Sequence, residues 1–142
     1  MITETELLQY IHETAEMGVE GISDVLDYAE GSRMQDVLRT QMEEYRRLEQ
    51  DAEKLLYDYG QDPKDVGMMA KTGARMMSAG KLMTDRSVSR IAEMTIEGNT
   101  MGITKTLKHL HDYSGDDQKV VDLTNVLLET QRRNVDQLQR YL

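Results

Sequence analysis

Apolar and small residues recur at alternating spacings of three and four along this chain, a rhythm that suits helices packed on helices and little else. The first stretch reads Leu8, Ile11, Ala15, Gly18, Ile22, Val25 and Ala29. A second reads Met34, Val37/Leu38, Gln41, Tyr45, Leu48, Ala52, Leu55/Leu56 and Tyr59. A third, with some slippage, reads Val88, Ile91, Thr95, Gly98, Gly102, Leu107 and Leu110. The last reads Val120, Leu123/Thr124, Leu127, Gln131, Val135, Leu138 and Tyr141/Leu142. Gln41, Tyr45 and Gln131 stand where a plain seam would carry leucine, so their polar atoms need partners inside the fold.

Boundary signals divide the stretches. Thr3 with Glu6 three residues on forms a capping box, Ser32 and Asp85 can cap the second and third long helices, and Asp116 or Asp117 the last. Gly31, Gly60 with Asp62-Pro63, and Ser114-Gly115 mark the breaks. These signals predict helices at about 4–29, 33–59, 65–82, 86–113 and 117–141 in one domain spanning residues 1–142. The helix at 65–82 is shorter than the rest. It puts Met68, Met69, Met76 and Met77 on one side, a face suited to covering a core or meeting another protein.

A near-repeat links the first and third long helices. Ala15 to Gly21 reads A-E-M-G-V-E-G and Ala92 to Gly98 reads A-E-M-T-I-E-G. Each copy sets two carboxylates four apart, Glu16/Glu20 and Glu93/Glu97, on one helix face. The expectation is two helix hairpins that bring matching acidic stations toward a common centre. The glycines allow close helix contact or leave backbone open beside a ligand.

Bulk properties exclude some functions. The net charge of -9 argues against a nucleic-acid partner, which requires basic footprints, and against an anionic membrane surface. The start, M-I-T-E-T-E-L-L, lacks the pattern of a signal peptide, so a cytoplasmic protein is expected. With no cysteine, thiolate chemistry and cysteine-ligated metals are excluded, but a carboxylate site is not.

With these seams, the half-repeat and a weaker match of Glu43, Arg46 and Arg47 to Glu129, Arg132 and Arg133, the chain resembles the ferritin-like four-helix bundles. It is most similar to small bacterial members that lack the usual di-metal histidines. The resemblance implies an all-α antiparallel bundle with an additional short crossover helix between its two pairs. It also implies a carboxylate-bridged di-iron or di-manganese centre built from Glu and Glu-x-x-His. Glu20 and Glu97 match the first kind of position, and Glu43 (or Glu44) and Glu129 the second. Arginine stands where histidine should follow, at Arg46, Arg47 and Arg132. His12, His109 and His111 are read as surface residues.

The leading expectation is therefore a non-enzymatic structural or interaction protein with a degenerate centre, no cofactor, and a homodimeric or other protein partner. The alternative is a divergent Fe- or Mn-binding or redox protein using Glu20, Glu97, Glu129, Glu43 and Glu44.

Overall fold

The computed structural model describes residues 1–64 and 84–142. The expected helix at 65–82, with Met68, Met69, Met76 and Met77, lies outside the described residues. The rest is all-α. Helix α1 spans Glu4–Leu26 and ends in a single 3-10 turn, Asp27–Ala29. Helix α2 spans Arg33–Asp58, α3 Val88–Asp112 and α4 Gln118–Leu138, with a closing 3-10 turn at Gln139–Tyr141.

The caps largely follow from the sequence. Thr3 and Glu6 form the reciprocal box, with the Thr3 Oγ1 accepting from the Glu6 amide at 3.2 Å. Asp117 caps α4 through the Lys119 amide at 2.9 Å. Two caps differ from expectation. Ser32 turns its hydroxyl back to donate to the Ala29 carbonyl, at 2.6 Å, and makes no side-chain cap for α2. Ser87 rather than Asp85 caps α3, accepting from the Arg90 amide, while Asp85 accepts from the Ser87 amide one step earlier. That backbone hydrogen bond holds the Asp85 carboxyl below its ordinary range. Gly31 and Gly60 adopt φ of +80° and +71°, the left-handed conformation that closes a helix.

The four helices form an antiparallel bundle. The start of α1 lies against the end of α3, where the Ile2 amide donates to the Asp112 carbonyl at 3.0 Å. At the same end Tyr59, following α2, donates its hydroxyl to Asp117 at the start of α4. At the opposite end Arg86, leading into α3, stacks over the Tyr28 ring at 4.5 Å. So α1 and α2 form one hairpin and α3 and α4 another, with α2 and α3 running in the same direction. A bundle of this connectivity has one long crossover, consistent with a ferritin-like topology. Contact is closest within each hairpin, then between α2 and α4, and sparse between α1 and α3.

The seams bury on α1, α2 and α4 through residues such as Leu8, Ile11, Met34, Leu38, Leu48, Leu127 and Leu138, but the last positions of the second and fourth do not: Tyr59 is 39% exposed and Leu142 62%. On α3 the apolar reading slips. Leu107 is 41% exposed, and Asn99 and Thr106 take the inner positions. The inner face there follows Ile91, Thr95, Asn99, Gly102 and Thr106, whose hydrogen-bonding side chains escape a search for apolar residues.

Gly18 and Gly102 do not bring helix backbones together, as their spacing suggested. Each admits one side chain from a neighbouring helix. A Cβ at Gly18 would stand 2.6 Å from the Tyr45 ring, and one at Gly102 2.6 Å from Gln131 Nε2. Substituting Gly18→Leu should therefore cost about 1–3 kcal/mol by overpacking, measured by chemical denaturation. Gly21→Leu should be nearly neutral, because among the described residues nothing lies within 4 Å of a Cβ there.

Candidate functional site

Three metal-ligating side chains converge between α1 and α2. Glu49 and Glu53 are one turn apart on α2 and therefore share a face. They flank the buried positions Leu48, Ala52 and Leu56, so their stems are partly covered while their carboxylates reach the edge of the helix pair. His12 reaches them from α1, one residue past the core residue Ile11. Its Nε2 lies 3.0 Å from Glu53 Oε1 and 3.9 Å from Glu49 Oε1. The His12 side chain is 5% exposed, that of Glu49 25% and that of Glu53 34%. The imidazole is thus fixed in the interior while the carboxylates keep a route to solvent.

The charges at this place are incompletely balanced. Burial, first of all, pushes the Glu49 carboxyl above its ordinary range; His12 pulls it back, Glu53 pushes it up, Arg46 pulls it down and Glu20 pushes it up. One imidazolium can neutralise one carboxylate. A divalent cation would neutralise both and release the imidazole nitrogen to act as a ligand. The donor spacing fits such an ion. Ligands about 2.1 Å from a metal and at right angles to each other are separated by roughly 3.0 Å. His12 and Glu53 already have that separation. Glu49 stands under 1 Å further away and is mounted on a rotatable, partly exposed side chain.

Among the described residues, this is the one group of three or more potential ligands whose ligand atoms lie within 4.8 Å of each other. The five glutamates singled out in the sequence are placed differently. Glu43 is exposed and pairs with Arg46 at 2.7 Å. Glu44 accepts from Arg133 at 2.8 Å, joining α2 to α4. Glu97 and Glu129 are exposed. Glu20 is half-buried, and its charge acts on Glu49, so it borders the observed cluster. No three of these five bring ligand atoms together among the described residues. The expected surface position of His12 is corrected, since the residue is 4% exposed. His109 also has a partner: its ring stacks on Tyr10 with centroids 3.7 Å apart.

The middle of the bundle is polar, as the sequence implied, but amides and hydroxyls occupy it in place of the duplicated glutamates. The Tyr45 hydroxyl donates to Asn99 Oδ1 at 2.8 Å and accepts from Asn134 Nδ2 at 3.1 Å. Gln41 Nε2 donates to Gln137 Oε1 at 3.0 Å, and Thr106 donates to Gln131 Oε1 at 2.9 Å. Tyr45, Gln41 Nε2 and Gln131 Oε1 thus find internal partners, whereas the buried Gln41 Oε1 and Asn134 Oδ1 have none among the described residues. Burial pushes the Tyr45 hydroxyl up to about 12, so it stays protonated and keeps its donor role at neutral pH.

The sequence did contain a signal for the observed cluster. His12 lies 19 residues before Gly31 and Glu49 lies 18 after it. In a hairpin turning at Gly31, such residues face each other at nearly the same height. Comparison with protein-family models, with curated proteins and with solved structures finds no match to this chain.

Proposed function

We propose that this protein binds a divalent metal ion through His12, Glu49 and Glu53, with Mn(II) or Fe(II) as the favoured ions. The observation that carries this reading is the convergence of one buried imidazole and two carboxylates from two helices, with two donors 3.0 Å apart. Imidazole suits iron and zinc, whereas carboxylates suit manganese and other hard ions, so the mixed set favours borderline to hard divalent metals. The partial exposure of both glutamates leaves room for water to complete the coordination shell. The single long crossover is compatible with a divergent member of the ferritin-like group, with its site moved from the bundle centre to one hairpin. No reaction is assigned to the trio. This reading is preferred to a purely structural or interaction role because His12, Glu49 and Glu53 bring three possible ligand atoms within reach of one ion.

The test is elemental analysis of protein purified without chelator, followed by calorimetric titration of stripped protein with Mn(II) and, without oxygen, Fe(II). One ion per chain is expected. Binding should be lost in His12→Ala and in the double variant Glu49→Gln with Glu53→Gln, with helical content retained by circular dichroism. No uptake, or uptake unchanged in the double variant, overturns the proposal.

The raised Glu49 carboxyl gives a separate prediction for the metal-free protein. Its folded pKa lies above the ordinary value of 4.5, so the native state holds the proton more tightly than the unfolded chain. Stability from this group is complete below that value and is lost as pH rises through the raised one. Glu49→Gln should therefore melt higher than the wild type at pH 7, and the difference should shrink toward pH 4. The same substitution should weaken metal binding, because the ion needs the carboxylate that burial disfavours.

A further inference from the structure

On the other side of α1, where it meets α3, the bundle opens into a cleft of about 750 Å³. The small residues explain the opening. Among the described residues Gly21 has nothing within 4 Å of a Cβ, while Gly18 and Gly102 let Tyr45 and Gln131 come through from α2 and α4. Those two side chains, with Asn99, make a buried polar floor between mostly apolar walls.

The cleft is graded along its length. At one end Tyr10 hydrogen-bonds Thr106 at 2.9 Å and stacks on His109, fixing α1 against α3. Lys105, Lys108 and His109 line this end, with the carboxylates of Glu13 and Asp112. His109 Nδ1 lies 2.8 Å from the Lys105 carbonyl, which can only accept, so this nitrogen donates. Toward the other end the lining becomes Met17, Ile22, Val25 and Met94, with no ionisable side chain among them. From the level of Thr14 to that of Val25 the α1 wall is about 16 Å long, room for an extended chain of roughly ten to twelve carbons.

One amide of the polar floor faces the cleft without an acceptor from the described residues. Gln131 is 1% exposed, its Oε1 accepts from Thr106, and its Nε2 rests against Gly102. Among the described residues that Nε2 has no hydrogen-bond acceptor, and it lines the cleft, where solvent or a ligand can accept from it. Lys105 stands one turn along α3 from Gly102, so an ammonium and an amide donor serve the same end of an otherwise apolar cavity.

We infer that this cleft binds a medium-chain alkyl carboxylate, its chain along Ile22, Val25 and Met94 and its head accepting from Gln131 Nε2 near the Lys105 ammonium. A carboxylate offers the acceptor that Gln131 lacks, and its charge can pair with the Lys105 ammonium one turn from Gly102, at an end that also carries Lys108, Glu13 and Asp112. The alkyl chain matches the length and apolarity of the remaining walls. The cleft shares no residue with the His12, Glu49 and Glu53 cluster, so it stands or falls independently of metal binding.

The test uses the full chain and dodecanoate, titrated by calorimetry below its micelle concentration, beside dodecanol and dodecyltrimethylammonium. Dodecanoate should bind one per chain, more tightly than dodecanol, and the cation should bind weakest. Gly21→Leu places a side chain in open space and should weaken dodecanoate by about tenfold or more while the melting temperature holds. Gly21→Met repeats the experiment if the leucine variant unfolds early. Lys105→Gln should weaken dodecanoate several-fold and leave dodecanol unchanged. The double variant Glu49→Gln with Glu53→Gln should bind dodecanoate like the wild type. Absence of dodecanoate binding, cation binding as tight as dodecanoate, or unchanged affinity in a folded Gly21 variant would each overturn the inference.

Discussion

Truncating Tyr45 to alanine should destabilise the bundle by about 3–5 kcal/mol, the range for deleting a large buried aromatic side chain. The ring fills the space left by Gly18 and is almost wholly buried. Its hydroxyl also joins three helices, donating to Asn99 on α3 and accepting from Asn134 on α4. Tyr45→Phe separates the two contributions. It keeps the ring and removes only the hydroxyl, and Asn134 Nδ2 retains Asn99 Oδ1 at 3.3 Å. The phenylalanine variant should therefore lose only about 1–2 kcal/mol. Equilibrium denaturation of both variants measures the difference. If the two losses are equal, the ring does not pack as described. Gly18→Leu supplies a further check. It should be harmful in the wild type and much less so beside Tyr45→Ala, where its side chain enters the vacated space. A coupling of this kind is expected for residues in direct contact.

The same position shows what could be read from the chain alone and what could not. Tyr45 and Gln41 stand in an apolar rhythm at places that demand internal partners, so a polar bundle centre was legible. The identity of those partners was not. The half-repeat drew attention to Glu97, yet the side chain that enters the centre belongs to Asn99, two residues later and on another face of the helix. Helical periodicity placed the α1 and α2 seams because they are continuous and apolar. On α3 it slipped, because Asn99 and Thr106 are held inward by hydrogen bonds that composition does not reveal. The cluster of His12, Glu49 and Glu53 escapes the sequence reading for a different reason. Along α1 alone His12 reads as a surface residue, whereas its partners lie across a hairpin, 37 and 41 residues away in sequence. Reflecting positions through Gly31 recovers that pairing, and the pairing is three-dimensional information that no local motif contains. Glu20 marks the boundary between the two readings. It was chosen for a central site shared with α3, and its charge instead reaches Glu49 on α2.

Leu48→Ala links the core to the proposed metal site. Leu48 is 2% exposed and adjoins Glu49, so the substitution should leave a cavity and cost about 2–5 kcal/mol without removing a ligand. An ion that binds only the folded chain stabilises it by mass action, by about 2.7 kcal/mol at a free concentration one hundred times the dissociation constant. Saturating Mn(II) should therefore restore much of the stability lost in Leu48→Ala, visible as an upward shift of the melting temperature with metal concentration. Adding Glu49→Gln and Glu53→Gln to this variant should abolish that shift. The cavity and the ligands lie on adjacent residues of one helix, so the affinity of Leu48→Ala for metal is itself informative. Wild-type affinity would mean that α2 holds Glu49 and Glu53 in place through its own backbone. A weakened affinity would mean that packing of the α1–α2 seam sets the separation between His12 and the carboxylates. Rescue that persists after both glutamates are replaced would place the ion elsewhere and remove the trio as the metal site.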